Sequence, residues 1–372
     1  MGRKILLIAV IVGVVVAGVG GAYWLATIHV QKTFREAKDV LGKGNLPQAV
    51  ALFENVYRKR PGSAEGFESL YTLCQLSSAL EQKDKALEYA RDFLTRAKSP
   101  QDIARAKYYV GTALISEGST AEGTSELAEV LSRYSSSSVA DDALFFLAKT
   151  KAKEGHLLEA RELLRTIIER YPDSNLLNEV YLEYGKINIQ LLLSPTPTPA
   201  SVQYTVNARD TVEGIAKKLG VTADPIRLAN GLVGDRIRKG QILKIDKNKF
   251  TMVVSKSRNT LTLLANGELF KIYSVGTGRS SSTPTGDYKI INKLLNPPWY
   301  KPGGGLIPFG DPGNLLGTRW MGINLPGYGI HGTWEPETVG KQSSAGCIRL
   351  QNQDVEELFK IVGIGTPVKI VD

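Results

Sequence analysis

Two uncommon side chains stand close together near the end of this chain. Cys347 lies in Ser343-Ser344-Ala345-Gly346-Cys347-Ile348-Arg349-Leu350, sixteen residues after the His331 of Tyr328-Gly329-Ile330-His331-Gly332-Thr333. The whole sequence has only two cysteines and three histidines. A thiol attacks as its thiolate, and a free thiol is mostly protonated at neutral pH. An imidazole titrates in the right range to take that proton. A Gly-flanked Cys and a Gly-flanked His therefore read as nucleophile and base for acyl transfer through a thioester. The backbone N–H groups of Ala345, Gly346 and Cys347 are the natural donors to an oxyanion. Gly346 permits a backbone turn closed to other residues. Arg349 could clasp a substrate carboxylate with its forked guanidinium, or serve as half of a structural ion pair. The bland alternative for Cys347 is a buried core thiol, which is the reading given to Cys74 in Leu70-Tyr71-Thr72-Leu73-Cys74. One Cys and one His fall short of a metal ligand set.

The elements that must position this pair read as mainly β over residues 250–372. Strands at Thr260 to Leu264 and Leu269 to Val275 flank Asn266-Gly267, a strong hairpin signal. Further strands are expected at Asp287 to Lys293 and Pro367 to Val371. A helix is expected at Gln353 to Val362, with Asn352 as its cap and Gly363 beyond its end. Gly276-Thr277-Gly278 lacks the Lys and Ser/Thr of a phosphate loop and reads as a strand-end turn.

Upstream, residues 203–246 read as strand, helix, helix, strand. Gln203 to Val206 opens the module, and Asp210 with Glu213 suggests a capping box for a helix at Thr211 to Leu219. Asp224-Pro225 suggests the cap and first residue of a second helix, and Gly240 to Ile245 closes the module. Residues 191–202, with Ser194-Pro195-Thr196-Pro197-Thr198-Pro199-Ala200, read as an extended linker. Before it, residues 30–190 repeat at a period of 37. Ala49, Ala86, Gly123 and Ala160 align, as do Phe53, Ala90, Leu127 and Leu164, and Tyr57, Leu94, Leu131 and Ile168. Gly44, Gly118 and Gly155 mark the preceding turn, with Glu81 in that register in the second repeat. Such a period marks an all-α solenoid of helix pairs, either a docking surface for a protein partner or a spacer. His156 falls in an inter-helix turn.

Residues 1–29 hold an unbroken low-polarity run from Ile5 to Ile28, about 36 Å of helix against a hydrocarbon core of about 30 Å. Arg3 and Lys4 before it favour an N-in transmembrane anchor, with His29 at its far end. A cleaved signal peptide with Gly20-Gly21-Ala22 as its exit is the alternative. Either reading exports the rest of the chain. The net charge of +9 is concentrated late: residues 203–250 hold ten Lys/Arg against five Asp/Glu, whereas the first 202 residues are nearly balanced. That distribution suits an anionic polymer. Nucleic acid is disfavoured, because the basic module lacks interleaved aromatics.

Three resemblances follow from these motifs. Tyr273-Ser274-Val275-Gly276-Thr277-Gly278, Thr283-Pro284-Thr285-Gly286-Asp287-Tyr288, Asn296-Pro297-Pro298-Trp299, Asn314 to Trp320, and the His331 and Cys347 segments together resemble the YkuD-type L,D-transpeptidases. Tyr204-Thr205-Val206, Asp210-Thr211-Val212, Asn230-Gly231-Leu232 and Gly240-Gln241-Ile242-Leu243 resemble a LysM domain, with Arg209 where that family often has Gly. Gly44 to Ala49 and Gly155 to Ala160 resemble tetratricopeptide repeats. The first resemblance implies an enzyme of the bacterial cell envelope that acts on peptidoglycan and needs no metal or organic cofactor. Cys347 would attack the bond between the third stem residue and D-Ala, and a neighbouring stem amine would resolve the acyl-enzyme into a 3–3 cross-link. Water or a protein lysine are rival acceptors, and a wall-binding scaffold with weak catalysis is a rival of another class. The resemblance also implies that the Gly332 carbonyl orients His331, and that Ala345 stands where many members carry a second His. The LysM resemblance implies glycan contact near Asp210, Thr211, Asn230 and Gly231.

Overall fold

Apolar spacing at helical period builds the first part of the chain. The computed structural model describes residues 24–301 and 303–372. Helices follow one another as α1 (24–42), α2 (Leu46–Lys59), α3 (Ala64–Ala79), α4 (Lys83–Arg96), α5 (Pro100–Glu117), α6 (Thr120–Arg133), α7 (Ala140–Lys153), α8 (Leu157–Arg170) and α9 (Leu177–Leu193). The 37-residue register places equivalent residues at equivalent depths. Phe53, Ala90, Leu127 and Leu164 are all fully buried, and so are Ala49 and Ala160. The turn register holds too: Gly44, Gly118 and Gly155 take φ of 77°, 105° and 86°, and Glu81 takes φ 55° in the same place. Thus all four turns share one left-handed residue, though only three of them use glycine. The membrane-segment expectation lies mostly on residues 1–23, outside the described residues. No described helix is long and apolar enough to cross a membrane.

The chain divides into two units, one ending at Leu147 and the other running from Ala148 to Asp372. In the second unit α8 packs on α9, and the small module follows as β1 (Ser201–Thr205), α10 (Val212–Leu219), α11 (Ala223–Ala229) and β2 (Ile242–Asp246). β1 and β2 pair antiparallel, with Tyr204 opposite Leu243. Val206, Val212, Ile215, Ile226, Leu243 and Ile245 fill its core. Capping differs from expectation. Thr211, not Asp210, caps α10, its Oγ1 accepting the Gly214 N–H at 3.0 Å. Glu213 instead pairs with Arg227. Thr222 precedes α11, which places Asp224 and Pro225 inside its first turn. Asp and Thr are adjacent, and both can cap; Asp210 is drawn back to Asn207, as described below.

The last domain is built on β3 (Phe250–Ser255), β4 (Thr260–Ala265), β5 (Glu268–Ser274), β6 (Thr277–Gly278), β7 (Gly286–Leu295), β8 (Trp299–Tyr300), β9 (Leu306–Ile307), β10 (Arg319–Ile323), β11 (Gly329–His331), β12 (Gln342–Ser344), β13 (Ile348–Arg349), α12 (Asn352–Ile361) and β14 (Pro367–Val371). Eight strands form one mixed sheet in the order β13-β11-β10-β7-β14-β3-β4-β5, and β12 pairs with β6 apart from it. Asn352 is the first residue of α12, and Gln351 precedes it as the cap position without a side-chain bond. The Asn352 Oδ1 accepts the Thr318 N–H at 3.1 Å instead.

Helix α9 runs past the expected boundary at 190 and belongs to the sheet's core. Ile189 and Leu192 pack with Phe270, Met252 and Leu263. Asn188 Nδ2 donates to the Phe270 carbonyl at 2.9 Å, closing part of the β5 edge. Lys244 of β2 is buried, and its Nζ donates to the carbonyls of Leu191 (2.5 Å) and Ser194 (2.9 Å) at the C-terminal end of α9. A cation there meets carbonyls that have no helical partner and the negative end of the helix dipole.

Candidate active site

Sheet register decides which side chains meet. β11 and β13 run parallel with Ile330 opposite Ile348 and His331 opposite Arg349. Paired residues share a face, and faces alternate along a strand. Ile330, Ile348 and Leu350 are therefore on one face, where they are buried under α12 with Val355 and Leu358. His331 and Arg349 are on the other; Cys347 leads directly into β13, beside the Gly329 backbone and Arg349. Hydrogen bonds of 2.8 Å in both directions between Gly276 and Arg349 hold β13 on its far side.

The nucleophile loop is held by two hydroxyls. Ser344 Oγ accepts the Gly346 N–H at 3.0 Å and donates to the Cys347 carbonyl at 2.6 Å. Thr283 Oγ1 accepts the Gly278 N–H and donates to the Gly346 carbonyl, both at 2.8 Å. Ser344 and Thr283 are buried. Gly346 takes φ 134°, and a Cβ there would come within 2.7 Å of Tyr328 Cε1, so both conformation and space require glycine. The Gly346 N–H is thus already engaged, which leaves the N–H groups of Ala345 and Cys347 as the candidates for an oxyanion. Ala345 is exposed. Ser344 and Thr283 were not singled out from sequence for this part; both lie in the motifs quoted above, but a serine and a threonine there carry no signal of their own.

His331 is buried, and its Nδ1 lies 2.6 Å from the Gly332 carbonyl oxygen. A carbonyl only accepts, so Nδ1 carries the proton and Nε2 keeps its lone pair. Gly332 has no room for a side chain, since a Cβ would meet Asn352 Oδ1 at 2.1 Å. Burial pushes the imidazole down to about 4; backbone hydrogen bonds to Gly332 and Leu316 oppose that shift and the Arg349 charge adds to it. Cys347 is half-buried, with Sγ 3.6 Å from the Gly327 carbonyl. Burial raises its thiol, while the Gly329 backbone and Arg349 pull it back. The resting pair is therefore a neutral thiol and a neutral imidazole. Arg349 Nη1 reaches Glu335 Oε2 at 3.4 Å, and its Nε is buried without a hydrogen-bond partner. Cys74 is free and buried in the helical part. Among the described residues no cluster of His, Cys, Asp and Glu is suited to a metal.

The small module's nominated positions lie apart from this site, in its own loops. Asp210 Oδ2 accepts the Asn207 N–H at 2.7 Å and the Tyr204 hydroxyl at 2.9 Å. Thr211 caps α10. Asn230 donates to the carbonyls of Ile226 and Lys244 and accepts the Lys244 N–H, each at 2.8 Å. Gly231 takes φ 58° with open space around it, and Arg209 takes φ 69°.

A mainly-β domain that brings a thiol and an imidazole to adjacent strands of one sheet has the residues that thiol acyl transfer needs. Family models described as L,D-transpeptidase catalytic domain, LysM domain and tetratricopeptide repeat match residues 249–370, 204–246 and 142–174. The chain is 36% identical over 177 residues to a putative L,D-transpeptidase YkuD of Bacillus licheniformis, covering 45% of this chain and 98% of that one. It is 39% identical over 127 residues to a putative L,D-transpeptidase YqjB of Bacillus subtilis, covering 32% and 70%. A solved L,D-transpeptidase from Mycobacterium smegmatis aligns with a TM-score of 0.30 at 17% identity, over 36% of this chain and 64% of that one. The protein belongs to the YkuD family of L,D-transpeptidases.

Proposed function

We propose that the protein forms 3–3 cross-links in peptidoglycan through a thioester on Cys347. The observation that carries this reading is the pairing of β11 with β13, which sets His331 opposite Arg349 two residues after Cys347, with the imidazole pinned through Nδ1 so that Nε2 is the basic nitrogen. Sγ attacks the carbonyl of the third stem residue as its proton passes to Nε2. The tetrahedral oxyanion is met by the Cys347 and Ala345 N–H groups. Its collapse breaks the peptide bond, and D-Ala leaves as a free amine that takes the proton back. An amine on a neighbouring stem then attacks the thioester, gives its proton to His331, and releases the thiol. No metal or organic cofactor enters these steps. Arg349 holds a substrate carboxylate only by giving up its long contact with the exposed Glu335.

The LysM module holds the enzyme on glycan strands. Asp210, Thr211 and Asn230 spend their side chains inside the module, so they set the shape of the loops around Gly231. The site works in the bacterial envelope, with the N-terminal segment as membrane anchor or export signal and the repeats as a surface for a protein partner. Incubation of the protein with defined tetrapeptide muropeptides, read by mass spectrometry, is the test. Cross-linked dimers with loss of D-Ala are expected. Trimmed monomers alone would identify water as the acceptor, protein-linked fragments a lysine, and unchanged substrate would overturn the assignment.

A further inference from the structure

The face that carries His331 and Arg349 continues across the sheet. β10 pairs antiparallel with β11, placing Trp320 opposite His331 and Gly322 opposite Gly329. It pairs antiparallel with β7 on its other side, placing Trp320 opposite Leu294 and Gly322 opposite Asn292. Arg319 and Met321 go to the opposite face, where Arg319 meets Glu356 of α12. This face therefore reads Arg349, His331, Trp320, Leu294 in one row and Gly329, Gly322, Asn292 in the next, with Cys347 beside the Gly329 backbone.

The indole lies down in this arrangement. Its ring stacks on the imidazole, with centroids 5.8 Å apart and planes 25° apart. It covers the second row: a Cβ on Gly329 would come within 2.7 Å of Cζ2 and Cη2, and one on Gly322 within 3.0 Å of Nε1. Both positions must lack a side chain for the indole to rest there. Nε1 donates to Asn292 Oδ1 at 3.1 Å, and the same oxygen accepts the Gly322 N–H at 3.1 Å. The ring is thus tied at its far end and seated over two glycines, with its face against His331.

We propose that Trp320 is a positioning residue for the acyl transfer, sealing one face of His331 from water and fixing the imidazole plane while Nε2 takes the Cys347 proton. The inference rests on the nucleophile-and-base reading above. Backbone contacts to Gly332 and Leu316 hold the imidazole at its edge, and the stacked indole holds it across its face. Small errors in the placement of a base cost rate steeply. The charged or titratable groups nearest the ring are Arg349 of β13 and Cys347 just before that strand, with Glu335 beyond Arg349. β10 and β7 present to it only Trp320, Leu294 and Asn292. The charges of α12 lie behind the sheet. An indole that keeps water off the ring keeps it neutral into acid, in agreement with its low position.

The test compares wild type with Trp320→Phe, Trp320→Leu and Asn292→Leu, using muropeptide turnover across pH. Trp320→Leu is expected to lose about tenfold in kcat with a smaller change in KM, and to move the acid limb upward by about one pH unit. Trp320→Phe keeps a stacked ring and should recover most of the rate and the limb. Asn292→Leu frees the indole without removing it and should fall between. An unmoved acid limb in a folded Trp320→Leu protein, or a loss confined to KM, overturns the proposal. If Trp320→Leu does not fold, an Asn292→Leu enzyme with wild-type rate and pH profile overturns it. Turnover that survives both Cys347→Ala and His331→Ala would instead remove the nucleophile-and-base reading, and this inference with it. Abolition in those two beside an unchanged Trp320→Leu enzyme would remove this inference alone.

Discussion

Cys347 cannot act as a resting thiolate in this environment, because burial raises its thiol and depresses His331 at once. The proton must move during attack, so the rate follows the neutral form of His331. Its pKa lies below the ordinary imidazole value, so the base is neutral at every pH above about 4. The acid limb of kcat/KM is accordingly expected below pH 6, nearer 4 than 6.5, measured on the free enzyme with muropeptide substrate. A limb at the ordinary histidine position would contradict the buried setting. Cys347→Ala should lose at least about 1000-fold in turnover, with glycan retention unchanged in a pull-down on isolated wall. Gly346→Ala should lose on the order of 100-fold without global unfolding, since the added Cβ meets Tyr328 and a left-handed backbone must shift under the nucleophile; near-native turnover would show that the loop has slack. The pair itself could be read from sequence because Cys and His are rare here. The parts around it were harder to read. Ser344, Thr283 and Trp320 are common residue types whose roles depend on strand register, which links residues 278, 283 and 346, or 292, 320 and 331, only after folding.

At the scale of elements, the repeat was the most legible feature, since its period returns the same residue classes to the same depth four times. Even the exception is instructive: Glu81 occupies a turn position where the other three repeats place glycine, and it takes the same left-handed conformation. Glu81→Gly should stabilise the protein by about 0.5–1 kcal/mol, read from urea unfolding. A destabilised variant would mean that the Glu81 side chain contributes more than its backbone costs. Hairpin β4–β5 was legible from Asn266-Gly267, and β14 was placed to the residue. β3, β10, β11 and β13 were not foreseen. They are short or buried, and β11 and β13 owe their pairing to neighbouring strands and not to local propensity. The helix caps were misplaced by a residue or two, because Asp, Asn and Thr can all cap and tertiary partners choose among them. Asn352 bonds to Thr318 instead, and Asp210 to Asn207.

At the scale of the whole molecule, composition suggested separable parts, and the second unit joins three of them. α9 carries Ile189 and Leu192 into the catalytic core, and Asn188 meets the edge of β5. A fragment starting at 203 should therefore unfold at lower denaturant than one starting at 148, because it leaves Phe270 and its neighbours uncovered; equal midpoints would show that α9 adds nothing. Lys244→Met, which leaves the carbonyls of Leu191 and Ser194 without their buried donor, should cost about 1–3 kcal/mol.

The Lys244 contact also bears on how such chains can be recombined. The Pro-Thr stretch is the obvious seam at which one glycan-binding module might be traded for another. Yet the acceptors for this ammonium lie on the other side of that seam, on the last turn of α9 and just past it. A foreign module inherits those carbonyls without the donor, and a transplanted module carries a buried cation without its cage. Exchange that preserves function should therefore cut before α8 and move helices, module and sheet together.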